Sequence, residues 1–205
     1  MNTVPATAEV VVIGAGIVGN SLIHHLAQQG VRDIVQIDKG PLPDPGGSTG
    51  HASNFIFPVD HSKEITALTL DSMRQYEEFG TMTTCGGIEI ARCEERVAEL
   101  HRRMASAKAW GIESELISPE RVAELVPFIT TDVIKCAFHT PSVAVVDPLR
   151  TGAIMRERAQ QLDALTICAN TEVTGIDTAS GRVTRVHTSR GDIDCGTVVI
   201  ACGVW

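Results

Sequence analysis

Near the start of the chain, apolar and polar positions follow the pattern of a strand, a helix and a second strand. Residues Glu9–Ile13 form a β-branched apolar run that ends at a glycine, which predicts a strand buried on both faces of a parallel sheet. Residues 17–29 place apolar side chains on one side at helical spacing, and Gly30 follows as a C-cap. Asp33–Asp38 predicts the second strand, so the three elements make a βαβ unit.

The rest of the chain mixes helical and strand patterns and ends in a run of strands. Residues 39–53 are rich in Gly, Pro and Ser, which predicts a loop without regular structure. Apolar periodicity, caps and β-branched runs predict helices at residues 62–79, 94–110, 119–126 and 148–162, and strands at residues 86–90, 136–139, 143–146, 165–169, 171–177, 182–188, 192–195 and 197–201. This order predicts an α/β fold with a Rossmann-like parallel sheet and a β-meander.

Composition and charge narrow the partners that we expect for the protein. The chain has 205 residues, of which 43% are apolar and 20% charged, as in an ordinary globular protein. A net charge of −8 and an aromatic content of 4% argue against nucleic acid or an anionic membrane as the main partner. The cysteines form no C-x-x-C pair and the histidines have no ligand spacing, so no metal site is predicted.

The two ends of the sequence give further expectations. The N-terminus has no basic region followed by an apolar run, and no apolar stretch approaches the roughly 20 residues of a membrane helix, so the predicted location is the cytoplasm. The last predicted strand is followed only by a few residues up to Trp205. Because a parallel strand needs a covering helix, we expect the chain to be the N-terminal part of a longer protein.

A glycine-rich motif follows the first predicted strand. Gly14, Gly16 and Gly19 fit G-x-G-x-x-G, in which the first glycine permits the tight turn, the second lets the backbone approach a pyrophosphate, and the third lets helix and strand pack closely. The pyrophosphate would bind the free N–H groups and the positive dipole end of the helix. Asp38 lies 19 residues beyond Gly19, where a carboxylate can accept hydrogen bonds from ribose hydroxyls. The motif therefore predicts a dinucleotide site.

Two other segments bear on whether the dinucleotide is FAD or NAD. The loop Gly46–Ser53 carries glycines and hydroxyls that could run along a phosphate and a flavin, although a plain surface loop has the same composition. Residues 197–205 form an apolar strand that ends in a small-x-Gly turn, where backbone can pass close to a nucleotide, and an ordinary core strand is the alternative. A long loop after Asp38 favours FAD over NAD.

Together, the segments GAGIVG, IDKG, GGSTGHAS and VVIACGVW resemble the D-amino-acid-oxidase-type FAD-dependent oxidoreductase superfamily. Within it, the sequence is most similar to the branch of dimethylglycine and sarcosine dehydrogenases and dimethylglycine oxidase. Residues 110–127 also resemble a substrate-domain segment of that branch. One departure is Asn54, which stands where the branch usually has glycine, but Asn tolerates the positive φ that such a turn requires.

The resemblance implies a role toward FAD for each matching residue. The pyrophosphate would be contacted by Gly14, Gly16, Ile17, Val18 and Gly19, and the adenosine ribose would be held by Asp38 and Lys39. The flavin would lie along Ser48, Thr49 and His51, with Phe55 nearby. The adenine would be contacted by the backbone of Val173, and the cofactor would also be lined by Ala201 and Gly203. His51 matches the histidine that is linked covalently to the flavin 8α-methyl carbon in this branch. A loop histidine bonded to backbone or solvent is the alternative.

The resemblance also implies the domain plan. Residues 1–80 and 147–205 would form a discontinuous FAD-binding domain, and residues 81–146 would begin a substrate-binding α+β domain that interrupts it. The substrate-contacting residues of the family would lie beyond Trp205, so no catalytic residue is assigned on this chain.

The implied function is oxidation of the C–N bond of dimethylglycine or sarcosine by hydride transfer to flavin. Oxygen or an electron-transfer protein would be the acceptor, and folate could bind a region outside this chain. The alternatives are another FAD-dependent amine or amino-acid oxidase with non-covalent flavin, and a non-catalytic FAD-binding or electron-transfer subunit. We expect the 205-residue piece by itself to be inactive.

Overall fold

A computed structural model of the chain describes residues 3–205. No helix among these residues is both long and apolar enough to cross a bilayer. In chain order the elements are β1 (Thr7–Ile13), α1 (Ile17–Gln28), β2 (Ile34–Ile37), α2 (Ser48–His51), β3 (Phe55–Ile56), α3 (Lys63–Glu78), β4 (Met82–Thr84), β5 (Gly87–Ala91), α4 (Glu94–Ala109), β6 (Glu115–Ile117), α5 (Pro119–Leu125), β7 (Cys136–Thr140), β8 (Ala144–Val146), α6 (Pro148–Gln161), β9 (Leu165–Cys168), β10 (Val173–Ala179), β11 (Arg182–Thr188) and β12 (Gly191–Ile200).

The chain divides into two compact units, Met1–Ser53 with Asp147–Trp205, and Asn54–Val146. Residues 54–80, which were predicted to belong to the first domain, group with the second unit. The reason is strand pairing, because β3 and β4 both pair with β8. The assignment of the two units to cofactor and substrate stays a prediction.

The first unit is built on a six-stranded sheet with the strand order β10-β11-β12-β1-β2-β9. Strands β12, β1, β2 and β9 run parallel, and β10 and β11 continue the sheet as antiparallel strands. The predicted parallel sheet with a β-meander is therefore confirmed. Helices α1 and α6 pack against the parallel strands, and Ile23, Ala27 and Ala159 share a buried cluster with Val10 and Val12.

Strand β1 is buried on both faces, as its apolar run predicts. Val10 and Val12 face the two helices, whereas Val11 packs in a second cluster with Val186 and Ile193 of the meander. Val11 and Val12 are fully buried. Burial of each such side chain contributes about 1.5–3 kcal/mol, so this strand anchors the turn that follows it.

Two sequence predictions in this unit were wrong. Residues 192–195 and 197–201 were predicted as separate strands, but β12 is continuous because it pairs with β11 on one side and with β1 on the other. Residues 39–53 were predicted to lack regular structure, but they contain the single helical turn α2, which begins after Gly47.

The second unit contains two three-stranded sheets with the orders β3-β8-β4 and β5-β7-β6. Phe138 of β7 is buried against Leu100 and Ala107 of α4, and Ala137 on the opposite face packs with Val122 of α5. The short strands β3, β4 and β6 were not predicted from sequence. Asn54 adopts a φ of 59°, which confirms the positive φ expected at that position.

Candidate functional site

The glycine-rich turn joins β1 to α1 at the carboxyl end of the parallel strands. Gly14 has a φ of 112°, and its N–H donates to the Ile37 carbonyl oxygen at 2.7 Å. A Cβ atom on Gly14 would overlap the carbonyl oxygen of Ala201, and one on Gly19 would overlap the carbonyl oxygen of Gly14. The turn is therefore tight enough to exclude side chains at both glycines, as the motif requires.

The N-terminus of α1 presents backbone donors. Gly16 is the N-cap residue and gives no side-chain cap. The Ile17 N–H donates to Thr49 Oγ1 at 2.9 Å, whereas the N–H groups of Gly16 and Val18 have no acceptor within residues 3–205. These donors, together with the positive dipole end of α1, match the oxygens of a pyrophosphate. The donor set therefore fits the phosphate part of a dinucleotide.

Asp38 lies directly after β2 and binds two backbone segments. Its Oδ2 atom accepts from the Ala15 N–H at 2.7 Å, and its Oδ1 atom accepts from the Gly40 N–H at 2.8 Å. Each carboxylate oxygen can accept a second hydrogen bond, so the predicted contact with ribose hydroxyls remains open to Asp38. The carboxylate thus fixes the glycine-rich turn as well as offering acceptors. The neighbouring ammonium of Lys39 lies 4.6 Å from the ring centroid of Trp205.

Helix α2 carries the polar residues predicted to lie along the flavin. Thr49 is half-buried and reaches the N-terminus of α1 through the bond to Ile17, whereas Ser48 and His51 are exposed. His51 Nδ1 lies 2.9 Å from the Gly47 carbonyl oxygen. Because a carbonyl only accepts, Nδ1 carries the proton and the lone pair of a neutral His51 is on Nε2.

Two other segments reach the same end of the sheet. The Ala201 N–H donates to the Ile13 carbonyl oxygen at 2.7 Å, which places the segment after β12 beside the glycine-rich turn, and Gly203 follows with a φ of 64°. The Thr171 N–H donates to the Asp38 carbonyl oxygen at 2.8 Å, and Val173 begins β10 two residues later. The first unit therefore brings the predicted phosphate and ribose residues to the carboxyl end of the parallel strands, and Val173 lies two residues beyond Thr171, which is bonded to Asp38.

Phe55 is placed differently from the other predicted residues. It lies on β3 in the second unit, where it pairs with Val145 and its ring centroid is 5.0 Å from that of Phe57. Its side chain is exposed. A role near the flavin stays a prediction for Phe55, as do the cofactor contacts of the residues in the first unit.

Two buried amides that support the turn were not predicted from sequence. Gln36 Nε2 donates to the Gly14 carbonyl oxygen at 3.2 Å and to Asn20 Oδ1 at 3.0 Å. Asn20 Nδ2 donates in turn to the Ala15 carbonyl oxygen at 3.0 Å. The signal that could have found them was a glutamine inside the otherwise apolar strand Ile34–Ile37, together with an asparagine directly after the third glycine of the motif.

Comparisons with known proteins agree with this geometry. The DAO family, described as FAD dependent oxidoreductase, matches residues 9–205. The chain is 32% identical over 208 residues to the pyruvate dehydrogenase phosphatase regulatory subunit of Mus musculus, 34% over 214 residues to sarcosine dehydrogenase of Mus musculus, and 29% over 205 residues to dimethylglycine dehydrogenase of Rattus norvegicus. These matches cover 97–98% of this chain but only 23–24% of the relatives.

A solved structure shows the same fold. L-proline dehydrogenase from P. horikoshii superimposes with a TM-score of 0.89 at 26% identity, over 98% of this chain and 54% of that chain. The family match extends from β1 to the end of the chain and includes the glycine-rich turn, Asp38 and α2. The chain therefore belongs to the DAO family of FAD-dependent oxidoreductases.

Proposed function

We propose that the protein containing this chain oxidises the C–N bond of an N-methylated glycine, dimethylglycine or sarcosine. The observation that carries the proposal is the set of backbone donors at the start of α1, with Asp38 and Thr49 beside it, in a chain 34% identical to a sarcosine dehydrogenase. FAD, when bound, accepts the hydride equivalent from the substrate carbon and passes the electrons on. The residues of this chain bind and orient that cofactor.

The binding roles follow from the donors and acceptors of the first unit. The N–H groups of Gly16 and Val18 would bind the pyrophosphate, because they have no hydrogen-bond acceptor among residues 3–205. Asp38 would accept from the ribose hydroxyls through its remaining lone pairs. Thr49 accepts from Ile17, so its own hydroxyl hydrogen is available for a phosphate oxygen.

We further propose that His51 forms a covalent bond with the flavin 8α-carbon. The hydrogen bond between Nδ1 and the Gly47 carbonyl oxygen leaves Nε2 as the nucleophilic nitrogen. Such a bond would replace one hydrogen of the methyl group, which would leave as a proton, and the two electrons left on the flavin would pass to the acceptor used in turnover. Oxygen or an electron-transfer protein is proposed as that acceptor, and folate as a ligand of another region of the protein.

Acid precipitation tests the covalent bond. Yellow colour should stay with the pellet of the wild-type protein and move to the supernatant for His51→Ala. The Ser48→Ala protein is the matched control, because Ser48 lies on the same helical turn and is exposed like His51. Its colour should stay in the pellet. Release of flavin from the wild-type protein would contradict covalent attachment and favour a non-covalent oxidase.

A second candidate is a non-catalytic FAD-binding subunit. It is favoured by the relative at 32% identity, which is named a regulatory subunit rather than a dehydrogenase. A turnover assay of the full-length protein with sarcosine, dimethylglycine, glycine and L-proline separates the candidates. Oxidation of the N-methylated glycines supports our proposal, oxidation of glycine or L-proline alone supports another oxidase, and bound FAD without any turnover supports the subunit.

The cellular location of the protein stays a prediction. The sequence alone predicts the cytoplasm, whereas the sarcosine and dimethylglycine dehydrogenases among the relatives are named as mitochondrial. Fractionation of cells that express the full-length protein from its own gene would distinguish the two compartments.

A further inference from the structure

We infer that Asn20 and Gln36 form a positioning pair that aims the glycine-rich turn at the pyrophosphate. The inference rests on the proposed binding of FAD and concerns residues that the family motif does not include. Asn20 and Gln36 are both buried, with 2% and 1% of their surface exposed. Their hydrogen bonds end on the carbonyl oxygens of Gly14 and Ala15, which are consecutive residues of the turn.

The direction of these bonds explains what the pair does. Both carbonyls accept from buried side chains of α1 and β2, so they would face away from a bound pyrophosphate. With Gly14 and Ala15 held in this way, the N–H groups of Gly16 and Val18 remain without acceptors among residues 3–205 at the N-terminus of α1. A free carbonyl pointing toward the ligand would instead repel phosphate oxygens. The pair therefore stabilises a turn conformation in which the N–H groups of Gly16 and Val18 are free to bind a ligand and the carbonyl oxygens of Gly14 and Ala15 are not.

The energetic cost of Gln36 argues that it serves more than stability. Its Oε1 atom is buried and has no hydrogen-bond partner among the described residues. A buried oxygen without a donor destabilises the folded protein, and its neighbours Ile34, Val35 and Ile37 are all apolar. An apolar residue at this position would avoid the penalty. The glutamine is explained by the bonds it makes to Gly14 and Asn20.

Gly152 of α6 supports the same inference from the other side. Glycine is the least favourable residue after proline inside a helix, yet it stands in the interior of α6. A Cβ atom at this position would overlap Nδ2 of Asn20, the atom that donates to Ala15. Glycine at this position therefore leaves room for the asparagine side chain, although it lowers the helix propensity of α6.

The test compares FAD binding with stability in the full-length protein. All variants carry His51→Ala, so that flavin is exchangeable. We expect Asn20→Ala, Gln36→Met and Gly152→Ala each to raise the Kd for FAD and for ADP about ten-fold or more, since each releases a carbonyl of the turn. Ile34→Val, a buried neighbour on β2, is the matched control. It should lower the melting temperature and leave both Kd values within about two-fold.

The exchange rates of backbone amides give a readout that does not require FAD. The amides of Ala15 and Ile17 are hydrogen-bonded, and they should exchange faster in the three variants but not in Ile34→Val. Unchanged Kd values together with unchanged exchange would overturn the inference and leave the pair a packing feature. If the His51→Ala protein binds neither FAD nor ADP, the proposed function fails instead. The exchange rates then decide the role of the pair alone.

Discussion

Gly14 shows how a single residue controls the turn. Its φ of 112° is unfavourable for any residue with a side chain, and a Cβ atom would overlap the backbone oxygen of Ala201. We expect Gly14→Ala to lower the free energy of unfolding by about 2–5 kcal/mol, since backbone strain and overpacking both contribute. Chemical denaturation with urea measures this change.

Gly196 on β12 provides the control for that substitution. A Cβ atom added to Gly196 would have no described atom beyond its chain neighbours within 4 Å, and the φ of this residue is not positive. Gly196→Ala should therefore leave the free energy of unfolding unchanged or raise it by up to about 1 kcal/mol. Equal losses from Gly14→Ala and Gly196→Ala would show that neither the φ nor the Ala201 oxygen constrains the turn.

Thr49 links α2 to the N-terminus of α1 through one hydroxyl. In Thr49→Val the Ile17 N–H loses its acceptor while the shape of the side chain is kept. In His51→Ala protein, where flavin is exchangeable, we expect Thr49→Val to raise the Kd for FAD about 5- to 10-fold, because the hydroxyl hydrogen proposed to bind a phosphate oxygen is lost; this corresponds to about 1–1.4 kcal/mol for one hydrogen bond. Thr49→Ser keeps the hydroxyl and should bind FAD nearly as the His51→Ala protein does. Titration of flavin fluorescence distinguishes them, and equal affinity of the Val and Ser variants would contradict a role for the hydroxyl.

At the scale of elements, the sequence predicts the strands and helices whose periodicity is local. The apolar run of β1 is sufficient to predict that strand. The start of α6 is predicted equally well, because Asp147 accepts from the Arg150 N–H as N-cap and Pro148 occupies the first turn. Pairing between distant segments is not visible in the same way. The continuity of β12 through Gly196 depends on its partners β1 and β11, which no local pattern reveals.

The same distinction applies to the candidate site. The glycines of the turn and Asp38 could be predicted, because the chemistry of phosphate and ribose requires those residue types at that spacing. The pairing of Asn20 with Gln36 could not, since it joins two elements through side-chain amides. The contact of Thr49 with Ile17 likewise depends on how the loop after β2 folds back, which composition does not determine.

The meander carries an ion-pair ladder on one exposed face. His187 on β11 lies 2.9 Å from Asp192 on β12 through Nδ1 and 2.9 Å from Asp177 on β10 through Nε2. Arg185 and Asp194 form the next rung, at 2.6 Å. Because carboxylates only accept, both contacts are hydrogen bonds when both nitrogens of His187 carry protons. The hydrogen bond to Asp192, and to a lesser extent the one to Asp177, raises the pKa of His187 above its ordinary value.

This raised pKa predicts how stability depends on pH. The stabilisation by the His187 imidazolium is fully present below its ordinary pKa of about 6.5 and is lost as pH rises through the higher pKa of the folded state. The Arg185–Asp194 rung does not titrate in this window. We expect the wild-type protein to lose stability relative to His187→Gln as pH rises from about 6 to 9. Urea unfolding at several pH values measures the difference, and a constant difference would contradict the ladder.

At the scale of the whole molecule, the proposed site depends on segments far apart in the sequence. Four segments meet there: the turn after β1, the loop after β2, helix α2 and the segment after β12. Backbone hydrogen bonds such as those from Gly14 to Ile37 and from Ala201 to Ile13 join them. Each segment supplies only a few of the proposed contacts with the cofactor. A ligand that bridges several of them should therefore stabilise the folded chain as a unit.

Thermal unfolding of flavin-free His51→Ala protein tests this coupling and the choice of cofactor together. FAD at 100 times its Kd should add about 2.7 kcal/mol, which raises the melting temperature by roughly 5–10 °C for a chain of this size. ADP shares the pyrophosphate and ribose contacts, so it should give a shift of the same sign at higher concentration. NAD⁺ at the concentration used for FAD should give the smaller shift, since the loop carrying Thr49 and position 51 is proposed to face a flavin. A larger shift with NAD⁺ than with FAD would contradict the flavin assignment, whereas equal shifts would mean that only the ADP part is bound.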